Sequence, residues 1–320
     1  MIRNSWQRLV LLGLLAVLSL TASLLVGSVA LDWRDVVDGG VARTILVELR
    51  LPRAVGAFAC GGLLALAGAL MQVLLRNPLA DPYVLGISGG AAVGALLALL
   101  AGAAATMVGT AAFAGALAAM LAVFALAHGE GSWTQTRLLL TGVIVAAGSG
   151  ALVALILALA PDQALRGMLF WLMGDAGQID NPWPALALLG GGLAAALPFA
   201  RDLNALARGE VLARALGVRV GRLRALIHVL AALLTAVAVT AAGSIGFVGL
   251  VVPHLARMLI GNDQRLLLPA AVLAGGGLLS LADTLARTLI APLQLPVGVL
   301  TALLGVPLFL FLLSRQPVPR

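Results

Sequence analysis

Lysine is absent from this 320-residue chain, and all twenty of its basic residues are arginine. A phosphate-binding loop of the GxxxxGK[ST] type requires its lysine, so the chain cannot supply one. Cysteine is nearly absent too. Cys60 stands alone in an apolar run, so no internal disulfide can form, and the residue reads as core packing. The three histidines and few acids include no HExxH or paired-cysteine pattern of a metal centre. Aromatic residues make up only 4% and do not interleave with the arginines. The net charge of +7 therefore reads as membrane topology, and nucleic acid is not expected as a partner.

Charge of either sign is scarce. Charged residues make up 10% of the chain, where soluble domains carry about a quarter. Hydrophobic residues make up 62%. A single core cannot hide that much apolar surface, so the solvent must include lipid. The whole chain, 1–320, reads as one transmembrane domain with an all-α, polytopic fold.

Uncharged runs mark the crossings, each needing about 20 residues. The first is 9–31. Ser28-Val29-Ala30 resembles a cleavage site, but the run exceeds the ~7–15 residues of a signal h-region, so it reads as an uncleaved helix. Further spans are expected at 54–75, within 82–129 (two helices, turning near 105–109), at 138–161, 181–200, 266–290 and 297–313. The run 225–256 breaks at Gly243-Ser-Ile-Gly246 into a seventh span and a shorter eighth that ends near Ile260. Ten spans put both termini on one side. If that side is cytoplasmic, the inner loops hold Arg3, Arg8, Arg76, Arg137, Arg257, Arg265, Arg315, Arg320 and the six arginines of 201–224. The outer ones hold Arg34, Arg43, Arg50, Arg53, Arg166 and Arg287. The excess inside follows the positive-inside rule.

Few residues offer chemistry. GISGG at 86–90 fits the GxSxG pattern, but no strand-turn-helix context makes Ser88 a nucleophile. His128 falls in a loop, His228 lies near a span end, and His254 reads as structural beside Pro253. Gly86, Gly90 and Gly94 recur every four residues, which suits helix packing or a pathway wall. Ion-coupled carriers keep carboxylates in mid-membrane. Here the spans lack them there, and Asp283 can pair with Arg287 four residues on. The stretch RDLNALARGEVLARALGVRVGRLR (201–224) is the exception to the membrane pattern. Residues 210–216 suit a short helix with Gly217 as its cap and Glu210–Arg214 as an i,i+4 pair. A second short piece is expected over 218–224. Such a segment can lie on anionic headgroups or dock in a partner's groove.

Ordered blocks carry a resemblance that runs from about Val47 to Leu313. They are ELRLPRAVGAFACGGLLALAGALMQVLLRNPLADPYVLGISGGAAVGA (48–95), LLLTGVIV (138–145), FWLMGD (170–175), LARGEVLARALGV (206–218), GSIGFVGLVVPHLARMLIGNDQRLLLPAAVLAGG (243–276), LADTLAR (281–287) and LPVGVLTALLGVPLFLFLL (295–313). Together they resemble the permease subunits of ABC importers for iron chelates (siderophores, haem) and cobalamin.

The resemblance implies a homodimer in the bacterial inner membrane with the pathway at its interface. Two separate ATPase subunits would carry ATP and Mg, and a periplasmic substrate-binding protein would deliver the cargo. No cofactor is expected on this chain. Glu210, Ala213, Arg214, Leu216 and Gly217 are implied to contact the ATPase, within a cytoplasmic coupling loop at 201–224. Arg50, Arg53 and Arg287 are implied to dock the binding protein as exposed outer arginines. The cargo implied first is an iron chelate, with cobalamin as the alternative. A carrier without an ATPase is the rival from another class.

Overall fold

The computed structural model describes residues 2–29, 32–127 and 135–314. His128, the last two residues of the expected first span and the arginines at 315 and 320 lie outside them. Every regular element among the described residues is helical. In chain order these are α1 (Ile2–Leu25), α2 (Trp33–Val37), α3 (Val41–Thr44), α4 (Leu51–Leu74), α5 (Ile87–Leu100), α6 (Ala105–Ala127), α7 (Gln135–Leu159), α8 (Asp162–Met173), α9 (Trp183–Ala196), α10 (Ala200–Ala207), α11 (Glu210–Ala215), α12 (Val220–Ala242), α13 (Val248–Ile260), α14 (Gln264–Thr288) and α15 (Val297–Ser314). Seven helical stretches are long and apolar enough to cross a membrane, and α5, α13 and α15 are shorter apolar helices.

The core is built around α4, which is buried throughout its second half and packs against α9, α12, α13 and α14. Its sequence explains how so many neighbours fit. Gly61 lies against the Gly275 carbonyl of α14, and Gly68 lies against the backbone of Gly249 on α13. Lipid tails are as apolar as leucine, so helices associate in the membrane through close backbone approach and packing. Cys60 is fully buried and faces the Ala238 carbonyl of α12.

The same logic joins α5 to α6. A side chain at Gly90 would run into the Gly115 carbonyl, and one at Gly94 into that of Ala111. Gly86 has φ +72° and closes the 3-10 turn Pro82–Leu85 before α5 begins. Gly90 and Gly94 thus pack against α6, while Gly86 lies against Val145 of α7.

The helix pattern departs from the sequence expectations in three places. The α5–α6 turn falls at 101–104, four residues earlier than expected, where Gly102 takes φ +69°. No separate helix forms over 218–224, because α12 already starts at Val220. The amphipathic helix α8 was not expected at all. It starts directly after Pro161, whose fixed φ suits a helix start, and Arg166 lies 5.9 Å from the Phe170 ring.

Four distant motif blocks meet where α12 breaks. Gly243, at φ +71°, ends the helix against the Trp171 carbonyl. The Asp175 N–H donates to the Ala242 carbonyl (2.8 Å), and the Gly298 N–H donates to that of Gly174 (3.2 Å). Tyr83 Oη donates to the Ile245 carbonyl (2.9 Å) and accepts from the Ile245 N–H (3.0 Å). A helix interrupted in lipid must have its freed backbone groups satisfied, and Tyr83 does this with one hydroxyl. Ser88 Oγ lies 3.0 Å from Ser244 Oγ, so the serine of GISGG has a hydroxyl partner in this knot.

Candidate functional site

The polar residues collect at the two ends of the bundle. At one end, α10 and α11 stand beside the start of α12. Glu210 opens α11 and makes two ion pairs, to Arg214 (2.5 Å) and to Arg224 of α12 (2.6 Å). Arg224 is mostly buried, so its pair fixes the short helix on the bundle, while Arg214 stays exposed. The helix ends in a Schellman arrangement. The Val218 N–H reaches the Ala213 carbonyl (3.0 Å) and the Gly217 N–H reaches that of Arg214 (3.0 Å). Gly217 supplies the φ of +81° that this cap needs.

The outcome for the individual residues is mixed. Glu210, Arg214, Leu216 and Gly217 lie together on the short helix and its cap. Leu216 is 65% exposed, whereas Ala213 is fully buried and faces the bundle. Val211, on the same short helix, is 85% exposed. A hollow of about 690 Å³ opens between this helix, Arg76 and Arg208.

A larger cavity of about 910 Å³ lies at the same end, between the start of α1, the end of α4, α10 and the α13–α14 turn. Asp263 caps α14 there, accepting from the Arg265 N–H (3.1 Å) and from Asn204 Nδ2 (2.8 Å). Partial burial works against ionisation of Asp263. The hydrogen bonds from Asn204 and the Arg265 backbone, with the charge of Arg265, outweigh it and hold the carboxyl below its ordinary range.

At the opposite end an ionic cluster joins five segments: α1, α4, α14, the turn at Asp175 and the stretch at Gln294. Arg53 of α4 grips Asp283 of α14, with Nη2 to Oδ1 at 2.8 Å and Nε to Oδ2 at 3.0 Å. It also reaches Gln294 (2.8 Å) and pairs with Asp175 at 3.6 Å. Arg287 pairs with Asp283 at 3.4 Å and donates to the Ser23 carbonyl of α1 (2.6 Å). Arg50 donates to the carbonyls of Leu24 (2.9 Å) and Leu25 (3.0 Å), and also to that of Val29. Those of Leu24 and Leu25 belong to the last turn of α1, where helix carbonyls are left over and cations are favoured.

The structure brings Arg50, Arg53 and Arg287 to one end, but not as exposed residues. Arg50 and Arg287 are 5% and 6% exposed, and the Arg53 side chain is 13% exposed. In a site shielded by lipid and protein, a guanidinium finds partners indoors. The i,i+4 pairing of Asp283 with Arg287 was legible in the sequence. The stronger partner, Arg53, lies 230 residues away, and no local pattern points to it.

Comparison with known proteins fits this architecture. The FecCD transport family matches residues 14–315. The hemin transport system permease protein HmuU of Yersinia pestis is 43% identical over 85% of this chain and 84% of its own. The cobalamin import system permease protein BtuC of Halobacterium salinarum is 42% identical over 87% of this chain and 75% of its own. A solved structure described as an inward-facing conformation of a metal-chelate type ABC transporter superposes with a TM-score of 0.85. It is 32% identical and covers 98% of this chain and all of the other.

Proposed function

The chain belongs to the FecCD transport family of ABC importer permeases, and we propose that it carries an iron chelate, siderophore or haem, into the bacterial cytoplasm. As such a permease it is not an enzyme, and ATP hydrolysis belongs to a separate chain. The observation that carries the mechanism is the short helix α11. It is tied to α12 through Glu210 and Arg224, yet it holds Val211 and Leu216 outward. A helix braced from within and apolar outside suits a groove in a soluble partner. In this reading ATP-driven movement of the ATPase pair pushes α11, and α12 passes the push to the α12–α13 break.

The remaining assignments follow from that reading. The seven long spans and the three shorter apolar helices make ten crossings, with both termini and α11 in the cytoplasm. Two copies form the pathway between them, and ATP with Mg sits on the ATPase subunits. The binding protein meets the arginine cluster. Arg53 keeps an open edge for a carboxylate, while Arg50 and Arg287 hold the surface that presents it.

A cobalamin cargo is the second reading, favoured by the near-equal identity to HmuU and to BtuC. Reconstitution with the cognate ATPase and binding protein tests both. ATP hydrolysis stimulated by haem or a ferric siderophore supports the first cargo, and stimulation by cobalamin alone supports the second. Failure to assemble with any ATPase refutes the coupling role of α11.

A further inference from the structure

The 910 Å³ cavity at the α11 end is strongly basic, and the transport reading leaves it without a role. Four arginines line it: Arg76, Arg208, Arg257 and Arg265. The one lining carboxylate, Asp263, is engaged with Asn204 and the Arg265 N–H. Arg208 and Arg257 form no ion pair among the described residues. Arg257 is instead steadied by Gln72, whose Oε1 accepts from its Nη2 at 2.9 Å. Gln72 in turn donates to the Leu250 carbonyl (3.1 Å). This holds one guanidinium in place, and an unneutralised guanidinium fork suits a phosphate.

The cavity also borders an exposed apolar face of α1. Trp6 of α1 lines it and is 56% exposed. Val10, Leu14 and Val17 follow at helical spacing on the same face, and they are 61%, 63% and 62% exposed. A tryptophan at the rim followed by an apolar stripe has the order of a headgroup and its acyl chains.

We propose that this cavity binds the phosphate of an anionic phospholipid, with the acyl chains laid along the Trp6–Val17 face of α1. The headgroup sits between Arg257 and the arginines at 76, 208 and 265. The lipid thereby bridges α1, α10 and the α13–α14 turn beside the coupling helix.

Native mass spectrometry of the purified permease tests this, with phosphatidylglycerol and phosphatidylcholine of matched chains as probes. Phosphatidylglycerol should be retained preferentially. The double variant Arg208→Gln/Arg265→Gln alters two exposed side chains and should fold normally. It should lose about 30-fold in affinity for phosphatidylglycerol, about fivefold for each arginine near the surface, with phosphatidylcholine unchanged. Arg257→Gln should lose at least as much, and Trp6→Ala should weaken both lipids together. Equal retention of both lipids by the unaltered chain would overturn the proposal. So would full displacement of phosphatidylglycerol by millimolar inorganic phosphate, which would make the site one for the free ion. Displacement of the lipid on adding the ATPase, with the arginine variants weakening ATPase assembly, would also overturn it, giving the cavity to a protein partner.

Discussion

Asp283→Ala should be among the most damaging single substitutions outside the glycine contacts. The carboxylate is fully buried, accepts three hydrogen bonds from Arg53 and pairs with Arg287 at 3.4 Å. Removing one member of a buried ion pair costs about 3–5 kcal/mol, because the remaining charge stays desolvated and uncompensated. Arg53 keeps 13% exposure and a second carboxylate, Asp175, at 3.6 Å. Both soften the loss, which places the expected cost near the lower bound, about 3 kcal/mol. Asp283→Asn keeps an acceptor oxygen but not its charge. Charge-assisted bonds are roughly twice as strong as neutral ones, so that variant should lose about half as much. Asp283→Ala/Arg287→Met should recover part of the deficit, since an apolar side chain replaces a stranded cation. Unfolding in mixed micelles, titrated with a denaturing detergent, gives the ordering. A loss within about 0.5 kcal/mol, the usual range for surface changes, would refute the claim that this cluster binds the helices.

The other expectations concern α11, the break and the glycine contacts. Replacing Glu210 and Leu216 together by alanine should uncouple ATP hydrolysis from transport while the dimer stays intact; normal uptake by reconstituted vesicles would refute that. Tyr83→Phe removes both hydrogen bonds to Ile245 and strands a buried N–H and carbonyl, costing about 1–3 kcal/mol for each group left unpaired. Thermal denaturation in detergent should show it, and an unshifted midpoint would count against the knot. Gly68→Ala drives a methyl into the Gly249 backbone. It should destabilise by about 1–3 kcal/mol despite the roughly 1 kcal/mol gained in helix propensity. Gly190→Ala meets nothing within 4 Å and should show only that gain.

Lipid as solvent makes the long apolar helices legible, because it demands runs of fixed length. The spans 138–161 and 266–290 accordingly sit within a few residues of α7 and α14. Turn chemistry was legible where one residue decides it, as at Gly217, whose positive φ caps α11. Contacts that join segments far apart in sequence were not. Neither the Tyr83–Ile245 exchange nor the Arg53–Asp283 grip has a local signature, because each is set by how the helices pack. The helix α8 escaped notice for a related reason. Its arginine and acid interrupt an apolar pattern too short to cross, which reads as loop until Pro161 and the Arg166–Phe170 contact are placed in space.

The two ends of the bundle use the same residue type in opposite ways. Arg50, Arg53 and Arg287 spend their donors on Asp283, Asp175, Gln294 and the carbonyls that end α1. That end therefore holds its helices through ionic contacts between segments distant in sequence. At the α11 end, Glu210 binds one buried arginine and one exposed arginine, and Arg208 and Arg257 find no carboxylate among the described residues. Arginine is always charged and poorly replaced by lysine at bidentate contacts, so a chain without lysine can serve both demands. In the proposed import cycle the clamped end is the fixed end of a lever, and the end with open cations is the one on which a partner or a lipid acts.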